Sequence, residues 1–527
     1  VNIRNRFSRL LGAGAALCLV AAPLHGANIY WQGTNVSGNL MGPNYTDGVT
    51  NNLTPTASDV VHVGGGGTAS YSTPGTVSLQ KLRVGHNTVA PANPGTGIVN
   101  LSNGAKIDLT VGGAGGANAS LWVGNVQNGT LNIDGAGTSV TAARFIAIGY
   151  GNNVARMGTV NITNGGSLIA TLGNINLGES NNAMNGVQGH VNVDGTVSAM
   201  SAGADLVVGV YGAKSTFTQT GGLVSIDDSI EVGASTSLIA NVGSSYSISG
   251  GTTTHSGNFF LGRGASVNAT ANISGTAILN TGNRFLMGAG TATGVVTNHS
   301  GGTLNTTLDL RVGDSGSGDT TYNLSGTGVI NSTTGGIVGR QGAAKFFQTG
   351  GVANFNGTLS IGNRETATGA NSGLYKISAG DLNIATALNV ANNGVGEFRV
   401  VGDDATIDVT GNMLVGNTAN GLGTLAFELE TGDILSQLAV TGTATFSSGA
   451  ALVFDATNAA PTQNVYNLLT AASIVDSGIA FTAPTGWSYQ IVSGGNGQIL
   501  QAVMAVPEPS TIGLALLAGI GLVRRRR

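Results

Sequence analysis

The 527-residue chain holds 87 glycines but only ten prolines and one cysteine, and 9% of its residues are charged. Glycine this frequent without a Gly-X-Y period excludes collagen, and a 41% apolar fraction excludes a disordered chain, which goes with low hydrophobicity and high net charge. The net charge of −4 conceals seven terminal arginines: without Arg4, Arg6, Arg9, Arg524, Arg525, Arg526 and Arg527, 14 basic residues face 25 acidic ones, an acidic, lysine-poor body unsuited to nucleic acid.

In chain order, Arg4, Arg6 and Arg9 precede an apolar run over residues 10–22, with small residues Gly26 and Ala27 beyond it. This predicts a secretory signal peptide over 1–27, with a hydrophobic helix too short to span a bilayer comfortably. The only cysteine, Cys18, lies inside it, so the body has no disulfide, thiolate metal site or cysteine nucleophile. Residues 28–74 show no clean repeat, contain Trp31, Tyr45 and Pro55, and are expected to form an N-terminal cap.

Over residues 75–420 one pattern recurs: apolar, any residue, apolar, then glycine. It ends at Gly85, Gly124, Gly149, Gly178, Gly209, Gly233, Gly262, Gly288, Gly313, Gly339, Gly362 and Gly416, with Ala391 in one copy, at a spacing of about 27–28 residues. Gly336 is the single exception to the flanking apolar positions. Between these copies lie alternating segments ending in paired glycines, such as Phe217-Thr218-Gln219-Thr220-Gly221-Gly222 and Phe346-Phe347-Gln348-Thr349-Gly350-Gly351. Alternation turns one set of side chains inward and Asn, Thr and Ser outward, while glycine frees the corner. A single pattern at a single period is that of stacked coils, each unable to bury its face alone. The expected fold is therefore all-β, a right-handed parallel β-helix (β-solenoid) of about 13 coils, roughly 60 Å long at ~4.8 Å per rung. Irregular caps close both ends. The C-terminal one, over 421–503, has longer strands and a short irregular or helical insert from Tyr466 to Ile474. The repeats resemble autotransporter-associated β-strand repeats, which supports the same fold.

Residues 504–527 are a second address. Val506-Pro507-Glu508-Pro509-Ser510 precedes an apolar run over 511–523 and then Arg524, Arg525, Arg526 and Arg527. The prolines hold the segment extended; thirteen helical residues span roughly 20 Å, short of the ~30 Å hydrocarbon core, and the arginines anchor the cytoplasmic side. The order of motif, short hydrophobic helix and arginine cluster resembles the PEP-CTERM sorting signal of exported Gram-negative proteins. That resemblance implies recognition by an exosortase, a membrane cysteine protease-transpeptidase, processing near Pro507–Pro509, and a transient membrane anchor.

Chemistry within the body is sparse. Asp227-Asp228 and Asp403-Asp404 are neighbours that strands would point apart, so they read as solvated turn residues rather than an acid/base couple. The loop from Asp314 to Asp319 is rich in oxygen ligands but fits neither calcium pattern. His62, His86, His190, His255 and His299 are scattered without metal-ligand spacing and read as surface or turn residues. Phe259 and Phe285 take inward positions; Trp122 takes an outward one and is the expected carbohydrate contact. No catalytic residue, metal or cofactor is expected. The chain reads as a non-enzymatic cell-surface or matrix protein with exopolysaccharide or surface glycans as partners; the rival reading is a polysaccharide-cleaving lyase or glycosidase on the same scaffold.

Overall fold

The computed structural model describes residues 27–505, apart from short segments at 33–36, 87–94, 112–117, 152–155, 180–185, 196–197, 211–213, 235–240, 265–266, 290–293, 316–317, 364–371, 418–420, 431–432, 449, 460 and 496. The signal peptide, Cys18 and the sorting segment from Val506 onward lie outside the described residues. The described residues form an all-β parallel solenoid without an α-helix.

One coil consists of three strands, as in Gly129–Asp134, Ser139–Ala142 and Ile146–Tyr150. Each pairs in parallel with its counterpart one coil later: Met157–Thr163, Ser167–Ala170 and Ile175–Glu179. The glycine-terminated third strands build a 19-stranded sheet and the first and second strands a 31-stranded one. Stacking in register puts like on like, so Leu121, Ile146 and Ile175 form one inward column and Val123, Ile148 and Leu177 the next. All six are fully buried.

The terminal glycine of the repeat is a conformational requirement. Gly85, Gly124, Gly149 and Gly178 have φ between 67° and 76°, in the left-handed region. A Cβ on Gly124 would lie 2.5 Å from the Met157 carbonyl oxygen of the next coil. Ala391 takes the same conformation, with φ 61°, without glycine's freedom. The exception at Gly336 is filled from elsewhere: it is in register with Leu310, and the Phe355 ring occupies the space where its side chain would stand.

Aromatic residues thicken the core. On the first strands Phe217 stacks on Tyr246 at 4.8 Å, and Tyr322, Phe346 and Tyr375 stack at 4.8 and 4.5 Å. Where that column lapses, at Ala271 and Thr297, the third strands supply Phe259 and Phe285, stacked at 4.6 Å and fully buried, as their inward positions predict. The glutamine of the paired-glycine motif is a corner clamp. Gln219 Nε2 donates to the Gly222 and Thr252 carbonyls, and Gln348 Nε2 to those of Gly351 and Asp381. The Tyr375 hydroxyl donates to Gln348 Oε1 at 2.6 Å.

The ladder outruns the thirteen expected coils by two third-strand rungs at each end. Asn28–Trp31 and Val60–Val63 precede it, and Thr443–Phe446 and Ser473–Asp476 follow. At the N-terminal end Tyr45–Thr46 turns antiparallel against Asn28–Trp31. The Tyr466 to Ile474 stretch is not an irregular or helical insert; it is strand Val465–Ala471 followed by the start of Ser473–Asp476. Its alternation Val-Tyr-Asn-Leu buries Tyr466 and Leu468 inward, a strand period rather than a helical one. The chain closes with strands Trp487–Gly494 and Gly497–Met504, the latter antiparallel to Val465–Ala471. Phe454, Tyr466 and Trp487, with ring centres 4.8–5.6 Å apart, plug the end.

Candidate functional site

Outward side chains at like positions also stack, and two columns are asparagine ladders. On the first strands Asn132 donates from Nδ2 to Asn100 Oδ1 at 2.7 Å, and Asn161 and Asn192 continue the chain at 2.8 Å each. Thr218 and Ser247 then interrupt it. On the second strands the run is Asn280, Asn305, Asn331, Asn354 and Asn383, each donating to the preceding Oδ1 at 2.9 Å from Asn305 onward; Asn280 donates to Thr254 Oγ1 at 3.2 Å. A side-chain amide has two N–H groups and two oxygen lone pairs. The ladder consumes one of each and leaves one of each at every rung. The second-strand ladder borders a shallow trough of about 340 Å³, lined by Thr254, Asn280, Asn305 and Asn331 on one side and Thr307 and Thr333 on the other.

The outer face of the third strands differs. Tyr30, His62, Arg83 and Trp122 stand in register on successive rungs, and His86 adds a ring. Tyr30 stacks on His62 at 4.3 Å, His62 and His86 meet tilted at 4.6 Å, and Trp122 stacks on Tyr150 at 5.5 Å with the rings nearly parallel. The Arg83 guanidinium lies 4.0 Å from the Trp122 ring centre. Trp122 is thus outward, as its strand position predicts, but only 7% exposed, packed with Ala119, Phe145, Ala147 and Tyr150 in a second small apolar cluster. Burial pushes the His62 imidazole down to about 2, with the neighbouring His86 and Arg83 charges adding to it, and His86 down to about 4.

Four histidines overturn the surface reading: His62, His86, His255 and His299 are at most 8% exposed. His299 is in register with Ile273 and Leu324, and His255 with Ile226, positions that face the core. His299 Nδ1 pairs with the Tyr322 hydroxyl at 2.9 Å, and His255 Nε2 with Thr281 Oγ1 at 3.2 Å. Burial pushes both to about 4.

Charged groups converge in two places. Asp309 bridges Arg284 and Arg311 at 2.6 Å each, and Asp314 bridges Arg311 and Arg340 at 3.1 Å each. Asp314 is therefore an ion-pair anchor. Arg399 joins Glu397 and Glu428, with Lys376 3.6 Å from Glu428. In both clusters the carboxylates are held in ion pairs, an arrangement that crosslinks neighbouring rungs. Asp403 and Asp404 are not turn residues but adjacent, both exposed, within the long strand Val395–Val409, and Asp228 accepts from Ser229 Oγ at 3.1 Å. Among the described residues no group of three His, Cys, Asp or Glu side chains is placed to hold a metal, and no helix is long and apolar enough to cross a membrane.

Sequence reasoning missed the ion-pair networks: their local pairs are two or three residues apart, but the pairs that join coils lie 25–29 residues apart and show only when coils are aligned. Residues 505–527 match the PEP-CTERM protein-sorting motif, which holds the Val506–Ser510 segment and the four terminal arginines. The motif indicates processing by an exosortase and export to the cell envelope or surface. No curated protein matches the chain.

Proposed function

We propose that this protein is a structural or adhesive rod of the cell surface or extracellular matrix of a Gram-negative bacterium, held briefly in the membrane by residues 504–527 until an exosortase acts near Pro507, Glu508 and Pro509. The observation that supports this reading is the outer surface: repeated amide and hydroxyl columns at one rung spacing, joined to a sorting motif at 505–527. Such a surface offers many equivalent weak contacts rather than one pocket, and the partners that suit it are exopolysaccharide or surface glycans. In a host with an exosortase, cell fractionation and mass spectrometry should find a surface or medium form lacking both Arg4 and Arg527. Deleting the gene should weaken cell–cell or cell–matrix cohesion; full-length protein kept in the cytoplasm would overturn the proposal.

The Arg284–Asp309–Arg311–Asp314–Arg340 cluster is the one feature that favours a polysaccharide-cleaving enzyme, because lyases and glycosidases gather charged side chains on an outer β-helix face. Release of reducing or unsaturated ends from polysaccharides by the purified protein, abolished in Asp309→Asn, would establish that reading.

A further inference from the structure

We propose that the second-strand trough binds an extended, neutral, β-linked glycan lying along the rod axis, about one sugar per rung. The inference rests on the surface role proposed above and names the ligand class and its place.

Three features carry it. The trough lining from Thr254 to Thr333 contains no Asp, Glu, Lys or Arg, and its one histidine, His255, is only 1% exposed, so it offers neither cations to a polyanion nor carboxylates to a polycation. Its polar groups recur in both senses. Each ladder amide keeps one N–H and one lone pair, and the Thr307 and Thr333 hydroxyls, whose protons go to the Thr281 and Thr306 carbonyls, keep their oxygens as acceptors. A sugar hydroxyl both donates and accepts, and matches that alternation.

The third feature is an apolar shoulder, a strip along the other flank of the asparagine ladder, outside the trough lining itself. The other outward column of the same strands runs Leu223, Thr252, Ile278, Thr303, Val329 and Val352 in register. Leu223 is 60% and Ile278 38% exposed, a methyl-rich strip for the C–H faces of pyranose rings. The first-strand ladder is the internal contrast. Its neighbouring column is Ile98, Thr130, Thr159, His190 and Thr216, with a single aliphatic residue at the Asn100 rung and none beside Asn132, Asn161 and Asn192. The rungs repeat at ~4.8 Å, and an extended β-linked chain advances by about that distance per sugar, so each rung meets one hydroxyl-bearing sugar edge, the two edges alternating along the chain.

The purified mature chain is titrated calorimetrically with a β-1,4-linked glucose hexasaccharide, the matching trisaccharide and a β-1,4-linked mannuronate hexasaccharide. The neutral hexasaccharide should bind about tenfold or more tighter than the trisaccharide, because it engages more rungs, and the mannuronate should not bind. Asn305→Leu with Asn331→Leu should weaken binding at least tenfold, whereas Asn132→Leu with Asn161→Leu, which breaks the other ladder equally, should leave it unchanged. Should the first pair fail to fold by circular dichroism, Val329→Lys tests the shoulder without touching a ladder and should also weaken binding at least tenfold. Absence of neutral-glycan binding, equal binding of mannuronate, or full affinity in the folded trough variants overturns the proposal. An exported, surface-held protein that binds no glycan sinks this inference alone; glycan binding by a protein retained in the cytoplasm sinks the surface role alone.

Discussion

Mild acid should loosen the middle of the rod, because two histidines are buried there in the neutral form. His255 and His299 are pushed by burial from 6.5 to about 4, even with Asp228 and backbone carbonyls favouring the charged form at His255. In the unfolded chain both titrate near 6.5, so as pH falls below that value the unfolded state takes up protons that the folded state refuses. Stability is therefore full above about pH 6.5 and declines toward pH 4. Each site loses on the order of 2 kcal/mol by pH 5 and about 3 kcal/mol once the pH is below 4. Two such losses are a large share of the 5–15 kcal/mol typical of a folded domain. A solenoid distributes its stability by neighbouring coils, so the loss should be local, centred on strands Thr252–His255 and Val295–His299. Asp134, Asp433 and Asp455, held below their usual 3.8 chiefly by side-chain hydrogen bonds, lose their contribution only at lower pH and do not blur the window. Urea unfolding at pH 7.5 and pH 5, with hydrogen exchange to locate the opening, measures the effect. His255→Thr with His299→Leu copies the neighbouring-rung residues Thr281 and Leu324. It should flatten the pH dependence to the part due to the other groups that burial shifts, His62, His86, His190 and Glu231, although the unpaired Tyr322 hydroxyl costs about 1–3 kcal/mol at every pH. An unchanged pH dependence in that variant, or none in the parent protein, refutes the reasoning.

Ala391→Gly should stabilise the protein by about 0.5–1 kcal/mol, since φ 61° strains an alanine more than glycine's extra chain entropy costs; a higher urea midpoint is the check. Gly336→Leu should destabilise by about 1–3 kcal/mol because its Cβ alone would stand 2.5 Å from Phe355 Cε1, and adding Phe355→Ala should recover part of the loss in thermal melts. Replacing Pro507 and Glu508 by alanine should leave the tail attached in an exosortase-bearing host, seen as retention of Arg527 by intact-mass spectrometry.

The stacking register was legible because glycine recurs where the backbone needs a positive φ and because apolar residues bracket one outward position. The two added N-terminal rungs were only half hidden: Val61-His62-Val63-Gly64 is a further copy of the pattern. The C-terminal ones lack the glycine, as Ala444-Thr445-Phe446-Ser447 shows, so a glycine-keyed pattern cannot find them. The buried histidines escaped because composition treats histidine as a surface residue, while its rung neighbours Ile226, Ile273 and Leu324 betray an inward column. Trp122 was placed on the correct side of its strand, but its cover is a matter of packing between coils, with Arg83 and Tyr150 flanking its ring. The amide trough was legible as composition only; its neutrality and its aliphatic border appear once two columns are laid side by side.

The last strand, Gly497–Met504, has a mechanical consequence. The backbone is pinned to its end, with Met504 N–H donating to the Asn464 carbonyl and Ala505 N–H to that of Gly486. Only Val506 separates that fastening from Pro507, a slack of about 3.5 Å. A copy still joined to its hydrophobic tail would hang on a leash of only five residues, Val506 to Ser510, about 17 Å when extended, so its C-terminal plug would stay close to the membrane surface. The protease would have to work flush against a folded wall or act before that strand docks, and a few inserted glycines and serines after Ala505 would tell which by speeding cleavage or leaving it alone.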